Sequence, residues 1–191
     1  MSAQSLDGTY RLVGVHDLAS AFLFTPDGHF QYFYIYGVAD RNATGTYTIE
    51  KDTVKLKSDK EPGKDFPITN QAKKGKGFTI QVKAENPYLL RNILAIYFIG
   101  EEQHVAESDD QGIIHMEENK IDKIYLQHQI FPDIPTLIKD EKNDNNYFEV
   151  SLSPSLGQVS FKGIDFPIDG DTLTCLPNYF LPFDNIRFVK E

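Results

Sequence analysis

Ala106-Glu107-Ser108-Asp109-Asp110-Gln111-Gly112-Ile113-Ile114 is a polar turn between two strand-like flanks. Its centre supplies side-chain acceptors for backbone N–H groups, and Gly112 is free to take the positive φ that a tight loop demands. Read outward, the segment predicts a β-hairpin of Gln103 to Glu107 and Ile113 to Glu117. The same alternation of apolar and polar positions, broken at short intervals by turn residues, runs nearly end to end. No window carries a helical period between capping signals. The chain therefore reads as all-β, with little or no helix.

A chain of 191 residues buries roughly 70% of the surface its unfolded form exposes, so its core needs no staples. Cys175 is the only cysteine. An intrachain disulfide and a multi-cysteine metal site are thereby excluded, and the residue reads as a small apolar core thiol. The formal charge of −9 argues against nucleic acid and anionic membranes as partners. Lys73-Lys74-Gly75-Lys76 is the one basic run and reads as a solvated turn. No stretch approaches the ~20 apolar residues of a membrane span. Ser2-Ala3-Gln4-Ser5 resembles the small-residue tail around a bacterial secretory cleavage site, so a secreted or periplasmic reading stands beside a cytoplasmic one.

Pro26-Asp27-Gly28 and Lys51-Asp52 read as hairpin turns, and Asp169-Gly170 as a third. Between the first two lies Phe30-Gln31-Tyr32-Phe33-Tyr34-Ile35-Tyr36, apolar on both faces, which predicts a central strand or a wall of tyrosines. The polar Pro/Gly/Lys stretch from Ser58 to Lys76 is the candidate boundary. It gives two packed β modules, residues 1–76 and 77–191, built as antiparallel sandwiches or a partial barrel.

Two resemblances follow. Leu6 to Tyr10, Phe24-Thr25-Pro26-Asp27-Gly28-His29-Phe30 and Gly45 to Ile49 resemble the opening strands of bacterial lipocalin-like β domains, over about residues 6–60. Gly77 to Val82, Asn86 to Leu90 and the Ser108-Asp109-Asp110-Gln111-Gly112 turn resemble the carboxypeptidase-regulatory or transthyretin-like β-sandwich, over about residues 77–139. That resemblance implies a non-catalytic module that folds, spaces or binds.

Chemistry could reside in few places. A four-residue loop over Ser108–Gln111 sets His104 opposite His115 and Glu102 opposite Glu117, all on one face. Two imidazoles and two carboxylates in cross-strand reach suit zinc or another divalent ion, but the solvated face of an amphipathic hairpin explains them without any ligand and is the favoured reading. Asp165, Asp169 and Asp171 surround Gly170 but miss the calcium-loop spacing. Nucleophile-elbow, phosphate-loop and zincin motifs are absent, so no cofactor is expected. Fourteen phenylalanines and ten tyrosines without tryptophan fill a core or line a binding surface, with Tyr32, Tyr34 and Tyr36 as the candidate ligand wall. The expected function is non-enzymatic recognition of a protein or glycan partner. Three alternatives stand beside it: a lipocalin-like small-molecule carrier, a metal-dependent hydrolase using His104 and His115, and an immunity-type inhibitor of a basic toxin.

Overall fold

The computed structural model describes residues 5–191, so the Ser2-Ala3-Gln4 part of the export-like tail lies outside the described residues. The fold is all-β, with sixteen strands among the described residues and a 3-10 turn at Pro87–Leu90. Among the described residues no helix is long and apolar enough to cross a membrane. Two compact units emerge: Met1–Glu61 with Gly157–Glu191, and Pro62–Leu156.

The first unit opens with a meander of β1 (Gly8–Val13), β2 (Leu18–Phe24), β3 (His29–Tyr36), β4 (Ala39–Glu50) and β5 (Thr53–Ser58). The expected turns form. Gly28, at φ +87°, donates its N–H to Thr25 O at 3.1 Å. Lys51 and Asp52 both take positive φ in a two-residue loop, the conformation whose twist matches the flanking strands. Buried and exposed side chains alternate along β4 from Ala39 to Thr48, which fixes its register.

The second unit comprises β6 (Ile68–Ala72), β7 (Phe78–Lys83), β8 (Ile93–Ile99), β9 (Glu102–Glu107), β10 (Ile113–Met116), β11 (Lys123–His128), β12 (Thr136–Lys139) and β13 (Tyr147–Ser151). One sheet has the order β10-β7-β13-β6 and the other β12-β11-β8-β9. Ile80, Val82, Ile114 and Phe148 of the first sheet share one buried cluster with Ile93, Ala95, Ile124 and Leu126 of the second. The unit is thus a two-layer sandwich around its own core.

β14 (Asp165–Asp169), β15 (Thr172–Cys175) and β16 (Ile186–Lys190) then return to the first unit and close it as an eight-stranded barrel, β1-β16-β15-β14-β5-β4-β3-β2. Aromatic rings fill the bore. Phe22 has six ring neighbours with centroids 4.6–6.2 Å away, among them Tyr32, Phe161 and Phe188. Phe161 comes from the non-strand segment between β13 and β14. It takes φ +54°, a costly conformation for a bulky residue, and its ring is 1% exposed.

Four expectations change. The units do not divide near residue 76, because open edges on β1 and β5 are covered only when β14–β16 pair with them. The barrel is closed rather than partial. Within the supposed linker, Phe66 is buried in the sandwich core and β6 pairs with β13. The turn at Asp109 to Gly112 forms, with Asp109 Oδ1 accepting from Gln111 N and Ile113 N at 2.9 Å each. Its arms nevertheless part: β9 pairs with β8 and β10 with β7, in different sheets.

Candidate binding face

β8 reads Ile93-Leu94-Ala95-Ile96-Tyr97-Phe98-Ile99, apolar throughout. Period two sends Ile93, Ala95 and Tyr97 into the core and Leu94, Ile96 and Phe98 to the outside of the sandwich. Neighbouring strands extend this outer surface. Tyr125 of β11 and Val105 of β9 flank Ile96, and Leu137 of β12 lies opposite Tyr125. Val105 is 53% exposed and Leu137 47%.

The other sheet of the same sandwich serves as an internal comparison. Its outward positions include Thr79, Gln81, Tyr147 and Glu149, all polar and each hydrogen-bonded. Thr79 Oγ1 and His115 Nδ1 are 2.9 Å apart, and the Tyr147 O–H donates to Glu149 Oε1 at 3.0 Å. Lys83 and Tyr147 together hold the Glu149 carboxyl below its ordinary range. One outer face is therefore made for water and the other is not.

On the apolar face lies a depression of about 540 Å³. Phe98 and Tyr125 form its floor, edge to face, with centroids 6.1 Å apart and planes at 83°. Ile134 and Pro135, on the β11–β12 connection, form a wall. The rim is polar and internally compensated. Lys123 Nζ lies 3.2 Å from Glu141 Oε1, and Lys120 Nζ 3.4 Å from Asp122 Oδ1. Gly100 N donates to Asp122 Oδ2 at 2.7 Å, pinning the β8–β9 turn. That N–H, with Lys120, holds the Asp122 carboxyl below the usual carboxylate range, while Glu141 raises the Lys123 ammonium. Both groups are charged near neutrality. Gln103 completes the rim opposite Phe98.

The residues singled out from sequence lie elsewhere. Tyr32 and Tyr34 point into the barrel, 3% and 6% exposed, and only Tyr36 is on the surface. Ser20 Oγ donates to the Tyr32 hydroxyl at 2.9 Å, and burial raises the pKa of both inward phenols. They pack the bore rather than line a ligand wall. The four expected metal ligands do not converge: Glu102 Oε2 lies 3.8 Å from His104 Nε2, but His115 and Glu117 stand on and after β10, in the other sheet. His104 lies on the inner side of its sheet, stacked on Tyr97 with centroids 5.3 Å apart. His115 faces outward from the other sheet, Glu102 begins β9, and Glu117 follows β10. Among the described residues no group of three or more His, Cys, Asp or Glu side chains is arranged to hold a metal ion. Asp165 pairs with Lys55, which explains it without calcium.

Phe98, Tyr125 and Ile96 were missed. Their signal is the unbroken apolar run of β8, which leaves no polar face for solvent. No protein-family model, curated protein or solved structure matches the chain.

Proposed function

We propose that the chain is a non-enzymatic binding protein, a lipocalin-like barrel with a carboxypeptidase-regulatory-like sandwich inserted in its sequence. Its recognition surface for a protein or glycan partner is the outer face of the β12-β11-β8-β9 sheet. The observation that carries this reading is the asymmetry between the two outer faces of one sandwich, polar on β7 and β13, apolar on β8, β9 and β12. Contiguous exposed apolar surface rimmed by polar groups is where soluble proteins meet partners. A carrier role ranks lower, because rings occupy the bore in which a lipocalin holds its ligand. The hydrolase alternative has lost the face on which its ligands were to converge.

The test compares retention of macromolecules from an extract of the producing cells on three immobilised chains: the unaltered protein, Phe98→Asp, and Gln81→Asp on the polar face. The expected result is a retained species that Phe98→Asp loses and Gln81→Asp keeps. Equal retention by all three would remove this face from the function.

A further inference from the structure

We infer that the depression floored by Phe98 and Tyr125 is a subsite for an uncharged pyranose ring of a glycan. The inference rests on the reading of this sheet face as a recognition surface, and it narrows the partner to a carbohydrate. Its volume of about 540 Å³ lies within the range of small-molecule sites. A pyranose is amphipathic in a particular way: C–H bonds crowd its faces and hydroxyls project around its edge. It therefore needs an aromatic floor and a ring of donors and acceptors in one site.

Both are present. Tyr125 and Phe98, at 83° to one another, offer a π face and a perpendicular edge to the C–H side of the ring. Around them stand the Gln103 amide, which donates and accepts, the Asp122 and Glu141 carboxylates, which accept, and the Lys123 ammonium, which donates. An apolar side chain from a protein partner would fill the floor and leave this rim without new partners, at a desolvation cost.

The rim's charge favours a neutral ring over a uronate or sulfated sugar. Each carboxylate has its own cation, Asp122 with Lys120 and Glu141 with Lys123. No uncompensated positive charge is left at the rim, and the chain around it carries −9.

Titration calorimetry on the intact chain tests the inference. The probes are a panel of neutral oligosaccharides in gluco, xylo, manno and galacto configurations, with polygalacturonate and heparin as anionic probes. At least one neutral oligosaccharide is expected to bind, with affinity unchanged between about 0.05 and 0.5 M salt. Tyr125→Ala should weaken it about tenfold or more and Gln103→Ala about fivefold, while Gln81→Ala leaves it unchanged. All three positions face outward, so an unaltered circular dichroism spectrum is expected to accompany each loss. No neutral binder, binding only of the salt-sensitive anionic probes, or indifference to Tyr125→Ala would overturn it. If the neutral panel fails while Phe98→Asp still strips a partner from the extract, the carbohydrate inference falls and the recognition face stands. If both fail, both fall.

Discussion

Gly45 shows how tightly single residues set the barrel's bore. It lies opposite Phe30 on one side and Ser58 on the other. A Cβ there would stand 2.1 Å from Lys57 O and 2.9 Å from Phe30 Cε1. Gly45→Ala must therefore part β4 from β5, and overpacking of this kind costs about 3 kcal/mol. Urea unfolding should show the loss as a lower midpoint at unchanged slope, and an unmoved midpoint would refute the constraint. Cys175 illustrates burial acting on chemistry. It lines a depression of about 890 Å³, yet burial pushes its thiol up to about 12. The unfolded thiol ionises at about 8.5, so the native state holds the proton longer. Its stabilising contribution is full below the unfolded value and fades as pH rises towards the folded one. At pH 9 the native protein should react slowly with an aromatic disulfide reagent, and guanidinium should release one fast equivalent. Rapid reaction without denaturant would contradict the raised value.

Elements show which signals a sequence carries locally. The Ser108–Gly112 turn was legible because its determinants are its own side chains: Asp109 accepts two backbone N–H groups, and Gly112 takes φ +77°. Asp109→Ala should cost about 1 kcal/mol by removing both turn-closing hydrogen bonds, a loss measurable by thermal unfolding. The partners of the arms were not legible, since β9 turns back through Gly100-Glu101 onto β8 instead of onto β10, and β10 is held by β7, a strand distant in sequence. That is why His104 and His115, cross-strand neighbours on paper, end on opposite sides of different sheets. The candidate face was half legible. The apolar run of β8 is visible in the chain, but that Val105, Tyr125 and Leu137 join it depends on register. The polar stretch from Ser58 to Lys76 misled through composition, because one aromatic, Phe66, buries its middle. Limited trypsin digestion should now separate its lysines. Lys60 is 3% exposed and its ammonium donates to Gln158 O at 2.8 Å, so it should resist. Lys73 and Lys76 sit on an exposed loop and should be cut first, and early cleavage after Lys60 would show the barrel end to be open.

At the scale of the whole molecule, the barrel is a meander interrupted once, between β5 and β14. The sequence split into halves near residue 76 because contiguous segments are the natural reading of a chain, whereas closure of a barrel obeys space alone. What permits the interruption is visible where the chain leaves and returns. Asp59 N donates to Thr44 O at 2.8 Å and Val159 N to Asn42 O at 2.9 Å, so both ends run beside β4. Ser58 Oγ reaches Val159 O at 2.8 Å, which ties departure directly to return. Ends held this close let an inserted unit be exchanged for a short turn without strain. The barrel's core, Phe22 with its surrounding rings, comes wholly from the first unit. Replacing Pro62–Leu156 with a short Gly-Ser linker should thus leave a β-rich protein that unfolds cooperatively, and the shorter loop should make closure cheaper in entropy. Circular dichroism, calorimetry and the near-ultraviolet signal of the packed phenols read the outcome. A shortened chain that is collapsed but without a cooperative transition or a near-ultraviolet signal would mean that the barrel does not fold without the inserted sandwich.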